Sequence, residues 1–134
     1  MITAFVNIRV RYQETDGMGI AYHGNYLTWF EVARIHMLDE LRYPYRTLEA
    51  QGYYLPVIEA YTKYEFPAYF DDCLKITAFI KEPSRLRIRI DYAITREDQH
   101  LASGYTSHAF INKKGQPVKP PADFMGIIHS HLSS

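Results

Sequence analysis

The stretch YQETDGMGIAYHGNY, residues 12–26, joins a strand-like run to the longest helical pattern in the chain. Asp16, two turn glycines and His23 lie within eight consecutive residues of this stretch, 16–23, directly before the predicted helix start. A helix N-terminus presents backbone N–H groups without intrahelical acceptors and a partial positive charge, which suits it to hold a carboxylate or polarise a carbonyl. This stretch therefore predicts the functional site and the junction around which the fold is built.

A half-buried strand is predicted before this stretch, over residues 4–12. Apolar side chains recur there at every second position, which is the period of a strand with one face in a core. The predicted inward face consists of Ala4, Val6, Ile8, Val10 and Tyr12, and the outward face includes Asn7, Arg9 and Arg11. Gly17 and Gly19 then predict a tight loop, because glycine accepts positive φ.

A helix is predicted over residues 26–41, with Asn25 as its N-cap and Pro44 beyond its end. Apolar residues recur through it at helical spacing, namely Tyr26, Trp29, Phe30, Ala33, Met37 and Leu41. Further apolar positions, including Leu27 and Val32, widen this surface beyond the usual stripe. We therefore expect the helix to be largely enclosed.

Four further strands are predicted, over residues 55–66, 73–81, 85–96 and 100–112, with turn residues between them. The connections are too short for crossover helices, so an antiparallel meander is the simplest arrangement. These elements define an α+β fold, in which a curved five-stranded antiparallel sheet is wrapped around a long central helix. The length of 134 residues fits a single domain, residues 1–134.

The composition excludes several classes of protein and site. Fifteen basic and fifteen acidic residues cancel, which gives no bulk attraction to nucleic acid or to an anionic membrane. Cys73 is the only cysteine, which excludes an intrachain disulfide and fits a reducing compartment. The sequence shows no membrane span, no secretory leader after Met1, no metal-binding histidine motif and no phosphate-binding glycine loop. We expect a cytoplasmic protein without a metal.

Residues of the opening stretch and of the helix that follows resemble the signature of hotdog-fold acyl-CoA thioesterases. The matching residues are Arg11-Tyr12, Thr15-Asp16, Gly19, Tyr22-His23, Asn25-Tyr26, Phe30-Glu31 and Ala33-Arg34. The nearest branch is the 4-hydroxybenzoyl-CoA thioesterase family, in particular its Tol-Pal-associated bacterial members. The likeness continues through Tyr64, Pro67 and Asp71-Asp72 and extends over residues 5–112.

The resemblance implies a fold, an activity and a set of site residues. In this family two subunits pair their sheets edge to edge with active sites between them, which implies a homodimer or homotetramer. The implied reaction is hydrolysis of an acyl-CoA thioester without a cofactor. Asp16 corresponds to the catalytic carboxylate, either as nucleophile or as general base, and His23 to a second catalytic group. The backbone N–H groups of His23 and Gly24 correspond to the oxyanion site.

Other residues are candidates for substrate binding, each with a structural alternative. The aromatic candidates either line an acyl tunnel or belong to the core, and they are Tyr22, Tyr26 and Trp29. The basic candidates either contact the phosphates of coenzyme A or are solvated on one strand face, and they are Arg85 and Arg87, with Arg89 beside them.

Glu31 is an alternative catalytic carboxylate, because other hotdog enzymes place theirs on the central helix. The competing interpretation, which we prefer, is an ion pair with Arg34 three residues later. Three alternative functions stay open: hydrolysis of acyl-carrier-protein thioesters, hydratase chemistry based on Glu31, and non-catalytic binding of acyl-CoA.

Overall fold

A computed structural model describes residues 1–82 and 86–133. Segments with alternating apolar residues form its five strands, and the segment after Gly24, where apolar residues recur at helical spacing, forms its longest helix. The strands are β1 (Ile2–Arg9), β2 (Val57–Tyr64), β3 (Cys73–Ile80), β4 (Arg87–Arg96) and β5 (Gln99–Ala109). The helices are α1 (Asn25–Glu40), α2 (Tyr45–Ala50) and α3 (Ala122–Ser133), and a 3₁₀ turn covers Tyr12–Glu14. The prediction of an α+β fold with a five-stranded antiparallel sheet is confirmed.

The sheet has the order β1-β3-β4-β5-β2, and every neighbouring pair is antiparallel. The predicted meander is therefore correct for β3, β4 and β5 but wrong for β2, which pairs with β5 at the edge of the sheet. The eight-residue connection 65–72 carries the chain from β2 back to β3. Eight extended residues reach about 26 Å, whereas three inter-strand spacings amount to about 14 Å, so this connection needs no helix.

The predicted inward face of the first strand is correct at its start and wrong at its end. Ala4 and Val10 are buried and Val6 and Ile8 are half-buried, as the alternation requires. Tyr12, however, is 66% exposed, because β1 ends at Arg9 and residue 12 already belongs to the 3₁₀ turn. The two-residue period therefore does not extend to this side chain.

Helix α1 buries the face that its apolar spacing predicts. The buried residues are Tyr26, Trp29, Phe30, Ala33, Met37 and Leu38, and Leu41 is buried directly after the helix. The ring of Phe30 stacks on Tyr92 of β4 with centroids 4.3 Å apart. The helix comes so close to β5 that a Cβ at Gly104 would lie 2.9 Å from Cε2 of Phe30.

Two predictions about α1 need correction. Leu27 and Val32 are each 44% exposed, so the helix is not enclosed on that side within one chain. Asn25 is not the N-cap, because the helix begins at Asn25 itself after Gly24. The Asn25 side chain instead donates from Nδ2 to the carbonyl of Glu14 at 2.7 Å, which ties the helix start to the preceding loop.

The C-terminal residues, whose sequence pattern specifies little, form a helix that packs on the core. Phe124 and Ile128 of α3 are buried. The ring of Phe124 meets those of Tyr43 and Phe110 edge-on, with centroid distances of 5.1 and 5.7 Å. Neither α3 nor any other helix within the described ranges is long and apolar enough to cross a membrane.

Candidate functional site

The loop between the 3₁₀ turn and α1 is a tight reversal that presents Asp16. Thr15 and Ala21 form an antiparallel bridge across its base. Gly17 and Gly19 occupy the reversal with φ of +90° and +76°, which residues with a side chain rarely adopt. We call residues 15–21 the Asp16 turn.

The carboxylate of Asp16 is exposed and oriented by its own turn. Its Oδ1 accepts a hydrogen bond from the N–H of Met18 at 3.1 Å, as Asp side chains commonly do in turns. Its Oδ2 has no partner within the part of the chain that the structure describes. One oxygen therefore orients the side chain, and the other remains available as a hydrogen-bond acceptor.

A second loop, residues 65–72 between β2 and β3, lies against the Asp16 turn. The N–H of Ala21 donates to the carbonyl of Ala68 at 2.8 Å, and the N–H of Phe70 donates to the carbonyl of Gly19 at 2.9 Å. Two segments that are distant in sequence are thus joined by main-chain hydrogen bonds. We call residues 65–72 the wall loop.

The Asp16 turn, the wall loop and the start of α1 surround a cleft of about 330 Å³. The polar and aromatic side chains that line it belong to Asp16, His23, Tyr26, Tyr64, Glu65 and Phe66. Small-molecule pockets have volumes of about 300–1,000 Å³, so the cleft is large enough for part of an organic substrate. The structure brings Asp16 and His23 together in this cleft.

The start of α1 offers free hydrogen-bond donors beside the cleft. The N–H groups of His23 and Gly24 have no acceptor among the described residues, whereas the next N–H, of Asn25, donates to the carbonyl of Tyr22 at 3.0 Å. The Tyr22 ring covers Gly24 so closely that a Cβ there would lie 2.6 Å from its Cε2. Any other residue at this position would have to displace the exposed Tyr22 ring. The OH of Tyr64 donates to the carbonyl of His23 at 3.1 Å and holds the helix start in place.

The three aromatic candidates occupy different positions. Tyr26 is buried and lines the cleft. Burial raises the pKa of its phenol, so it stays neutral. Tyr22 is exposed over Gly24 and is not part of the cleft lining. Trp29 is buried behind the Asp16 turn, where its Nε1 donates to Oε2 of Glu14 at 2.9 Å.

The basic candidates that the structure describes, Arg87 and Arg89, do not line the cleft. Arg85 lies outside the described residues. Arg87 is exposed at the start of β4 and does not line the cleft. Arg89 stacks over the ring of Tyr105, with its Cζ 3.9 Å from the ring centroid, and donates to Asp91 at 3.2 Å. Within the described ranges, no group of three or more His, Cys, Asp or Glu residues is arranged to hold a metal ion.

The preferred ion pair between Glu31 and Arg34 is wrong. Glu31 is exposed on α1 and forms no ion pair with a residue that the structure describes. Arg34 instead donates from Nη1 to the OH of Tyr92 at 3.1 Å. Packing of α1 on the sheet directs this arginine inward, away from its neighbour in the helix. Glu31 also does not line the cleft.

Glu14 supports the site, although nothing in the sequence pattern singles it out. Its carboxylate is buried, and it accepts from the N–H of Arg11 at 2.8 Å and from the indole of Trp29. Burial alone would raise the pKa of Glu14, but these hydrogen bonds and the nearby Arg11 guanidinium together outweigh it, and the pKa lies below its usual value. The available signal is the need of a buried tryptophan N–H for an acceptor. Glu14 anchors the Asp16 turn to α1.

Replacing Glu14 with Gln is expected to lower the free energy of unfolding by about 1–3 kcal/mol. The amide has one acceptor oxygen, so either the Arg11 N–H or the Trp29 N–H loses its partner and faces another donor. Urea unfolding at pH 7 measures this difference. Glu49→Gln, an exposed position on α2, is the matched control. Equal unfolding midpoints for the two variants would contradict the anchoring role.

The sequence and the fold place the chain in a known family. Residues 10–128 match the family described as the thioesterase-like superfamily, and the chain belongs to it. This match contains the Asp16 turn, α1, the wall loop and all strands except β1.

Similar proteins include named thioesterases. The acyl-CoA thioesterase YbgC of Haemophilus influenzae is 30% identical over 127 residues, which cover 93% of each chain. The solved structure of the DHNA-CoA thioesterase from Staphylococcus aureus superposes with a TM-score of 0.93 at 30% identity, covering 99% of this chain and 93% of that one. The resemblance to hotdog-fold thioesterases is thereby confirmed.

Proposed function

We propose that this chain is an acyl-CoA thioester hydrolase, which cleaves its substrate into a carboxylic acid and free coenzyme A. We also propose that its 134 residues form a single domain. One observation carries the proposal: Asp16 and His23 line the same cleft, and the N–H groups of His23 and of the next residue, Gly24, have no acceptor among the described residues. Thioester hydrolysis needs an oxygen nucleophile and donors for the charge that develops on the carbonyl oxygen. The similar proteins that are named thioesterases support this reaction class.

Asp16 acts in one of two ways. As a nucleophile, its oxygen bonds to the acyl carbon, the carbon–sulfur bond breaks, coenzyme A leaves as a thiolate, and water then hydrolyses the anhydride. As a general base, it removes a proton from water, whose oxygen bonds to the same carbon, and the carbon–sulfur bond then breaks to release coenzyme A as a thiolate. In both routes the N–H groups of His23 and Gly24 receive the developing oxyanion. The His23 side chain assists as a second polar group in the cleft.

The acyl group enters along the aromatic side of the cleft. Tyr26, Tyr64 and Phe66 supply apolar surface there, and Tyr22 lies at the helix start beside it. We further propose that the curved sheet wraps around α1 as the central helix of a hotdog fold. The size of the acyl group is then set by what closes the exposed end of the cleft.

A second copy of the chain is the proposed cover for the β2 edge. An unpaired strand edge invites pairing, and β2 exposes Val57, Tyr61 and Tyr64 there. Since Tyr64 ends β2 and lines the cleft, pairing at this edge would place the partner beside the site. We therefore propose a homodimer or homotetramer. We also propose that the protein is cytoplasmic, since its single cysteine, Cys73, fits a reducing compartment. A monomeric mass by light scattering would contradict the assembly.

The proposed function is tested by thiol release from short, medium, long and aromatic acyl-CoAs. We expect the purified chain to release coenzyme A from at least one of these classes faster than a heat-inactivated sample does. The same acyl group on acyl-carrier protein distinguishes the two thioester carriers. Binding of acyl-CoA without thiol release from any member of the panel would select a non-catalytic binding module instead.

A further inference from the structure

Arg96, the last residue of β4, holds the wall loop from behind the cleft. Its Nη1 donates to Oδ2 of Asp72 at 2.6 Å and to the carbonyl of Pro67 at 3.2 Å. Its Nη2 donates to Oε1 of Gln99, the first residue of β5, at 2.7 Å. One guanidinium therefore joins the ends of two strands to both halves of the wall loop.

Asp72 extends this clamp along the loop. Its Oδ2 also accepts from the N–H of Tyr69 at 2.8 Å, which closes a turn that passes through Asp71 at a φ of +70°. A positive φ is unfavourable for a residue with a side chain, so the turn depends on its hydrogen bonds. The side chains of Arg96 and Asp72 are only 25% and 22% exposed, and such a charge-assisted bond is stronger than one on an open surface.

The clamped wall loop is the hydrogen-bonding partner of the Asp16 turn. The carbonyl that receives the Ala21 N–H belongs to Ala68, directly after Pro67, and the N–H of Phe70 reaches Gly19. A displacement of the wall loop therefore moves the Asp16 turn through these bonds. Arg96 itself does not line the cleft, so it acts only through the loop.

We propose that Arg96 is a positioning residue for the thioesterase reaction, which fixes the wall loop against the Asp16 turn through Asp72 and Pro67. Its effect on turnover rests on the proposed function. Displacement of a reacting group by about 1 Å costs about 10²-fold in rate. Loosening the wall loop misplaces the carboxylate in the transition state, so kcat falls more than KM changes.

The test compares Arg96→Gln and Arg96→Lys with Arg9→Gln as the matched control. Arg9 makes two hydrogen bonds to the carboxylate of Asp71 in the same loop, but these side chains are 71% and 50% exposed, so solvent screens the pair and the control removes an equal charge with a smaller loss of anchoring than at Arg96. We expect Arg96→Gln to lower kcat at least about tenfold with little change in KM. Arg9→Gln should retain the wild-type values. Arg96→Lys should be intermediate, because an ammonium lacks the planar fork that serves the three acceptors.

Amide hydrogen exchange without substrate tests the clamp independently of activity. We expect the N–H groups of Ala21 and Phe70 to exchange faster in Arg96→Gln than in the wild type and to stay protected in Arg9→Gln. Unchanged protection in Arg96→Gln, or a wild-type kcat for it, overturns the inference. A wild type that releases no thiol overturns the proposed function instead, and exchange alone then decides whether Arg96 holds the wall loop.

Discussion

Asp16→Asn is expected to lower kcat for acyl-CoA hydrolysis by about 10²–10⁴-fold without unfolding the protein. The substitution removes both the nucleophilic oxygen and the base, which are the two roles open to this carboxylate. The amide keeps an oxygen that can accept from the Met18 N–H, so the turn is retained. Thiol release at saturating substrate measures the loss, and urea unfolding verifies the fold.

Asp39→Asn is the matched control, because it removes the same charge from an exposed position of α1 outside the cleft. It should turn over at the wild-type rate. The new asparagine at position 16 precedes Gly17, a sequence that readily deamidates back to a carboxylate, so the intact mass of the assayed sample must be measured. Turnover close to the wild type in a sample with the amide mass would refute the role of Asp16.

Glu31→Gln, assayed beside these variants, decides between the two candidate carboxylates. Because Glu31 is exposed on α1 and does not line the cleft, its loss should leave turnover unchanged. Loss of activity in Glu31→Gln, but not in Asp16→Asn, would favour the hydratase-type site on the helix.

The features that the sequence predicts well depend on interactions between near neighbours. The buried face of α1 follows from helical spacing, so Phe30 and Met37 could be assigned without a partner surface. Asp16 and His23 are seven positions apart, and the turn glycines between them shape the backbone locally. Local chemistry therefore predicts that they approach the same helix start.

The features that the sequence misses depend on contacts between distant residues. β2 pairs with β5 because the eight-residue connection 65–72 is long enough to carry the chain back to β3, and no turn signal specifies that choice. Helical spacing predicts that Arg34 pairs with Glu31, but in the fold Arg34 donates to the hydroxyl of Tyr92 on β4 instead. Glu14 is an ordinary loop carboxylate in the sequence, and it becomes an anchor only when Trp29 packs against it.

A buried chain of hydrogen bonds ends at His108, another residue that the sequence does not single out. The Arg34 guanidinium donates to Tyr92, whose OH lies 2.7 Å from the hydroxyl of Thr106. That hydroxyl lies 2.8 Å from Nε2 of His108, and Nδ1 lies 3.1 Å from the carbonyl of Leu55. A neutral imidazole satisfies the chain, since Nδ1–H donates to Leu55 and Nε2 accepts from Thr106.

His108 is expected to make the protein sensitive to acid. Burial, reinforced by the nearby charge of Arg34, lowers the pKa of His108 from 6.5 to about 4. The unfolded chain therefore takes up a proton below pH 6.5 that the folded chain refuses until about pH 4. The neutral His108 therefore contributes its full stabilisation above pH 6.5. The free energy of unfolding falls as the pH is lowered below 6.5, by about 3 kcal/mol at pH 4.

Urea unfolding at pH 7 and pH 5 tests this expectation, with a wild-type loss of about 2 kcal/mol between them from His108. His108→Gln has no titratable side chain at position 108. Its free energy of unfolding should therefore change much less between these pH values, even if the variant is less stable at both. His36→Gln removes a histidine that is 41% exposed on α1 and should retain the wild-type dependence, since its pair with Glu40 contributes about 0.3–0.5 kcal/mol. A full pH dependence in His108→Gln would assign the acid sensitivity to other groups, because the buried imidazole would then not differ between the folded and unfolded states in the protons that it binds.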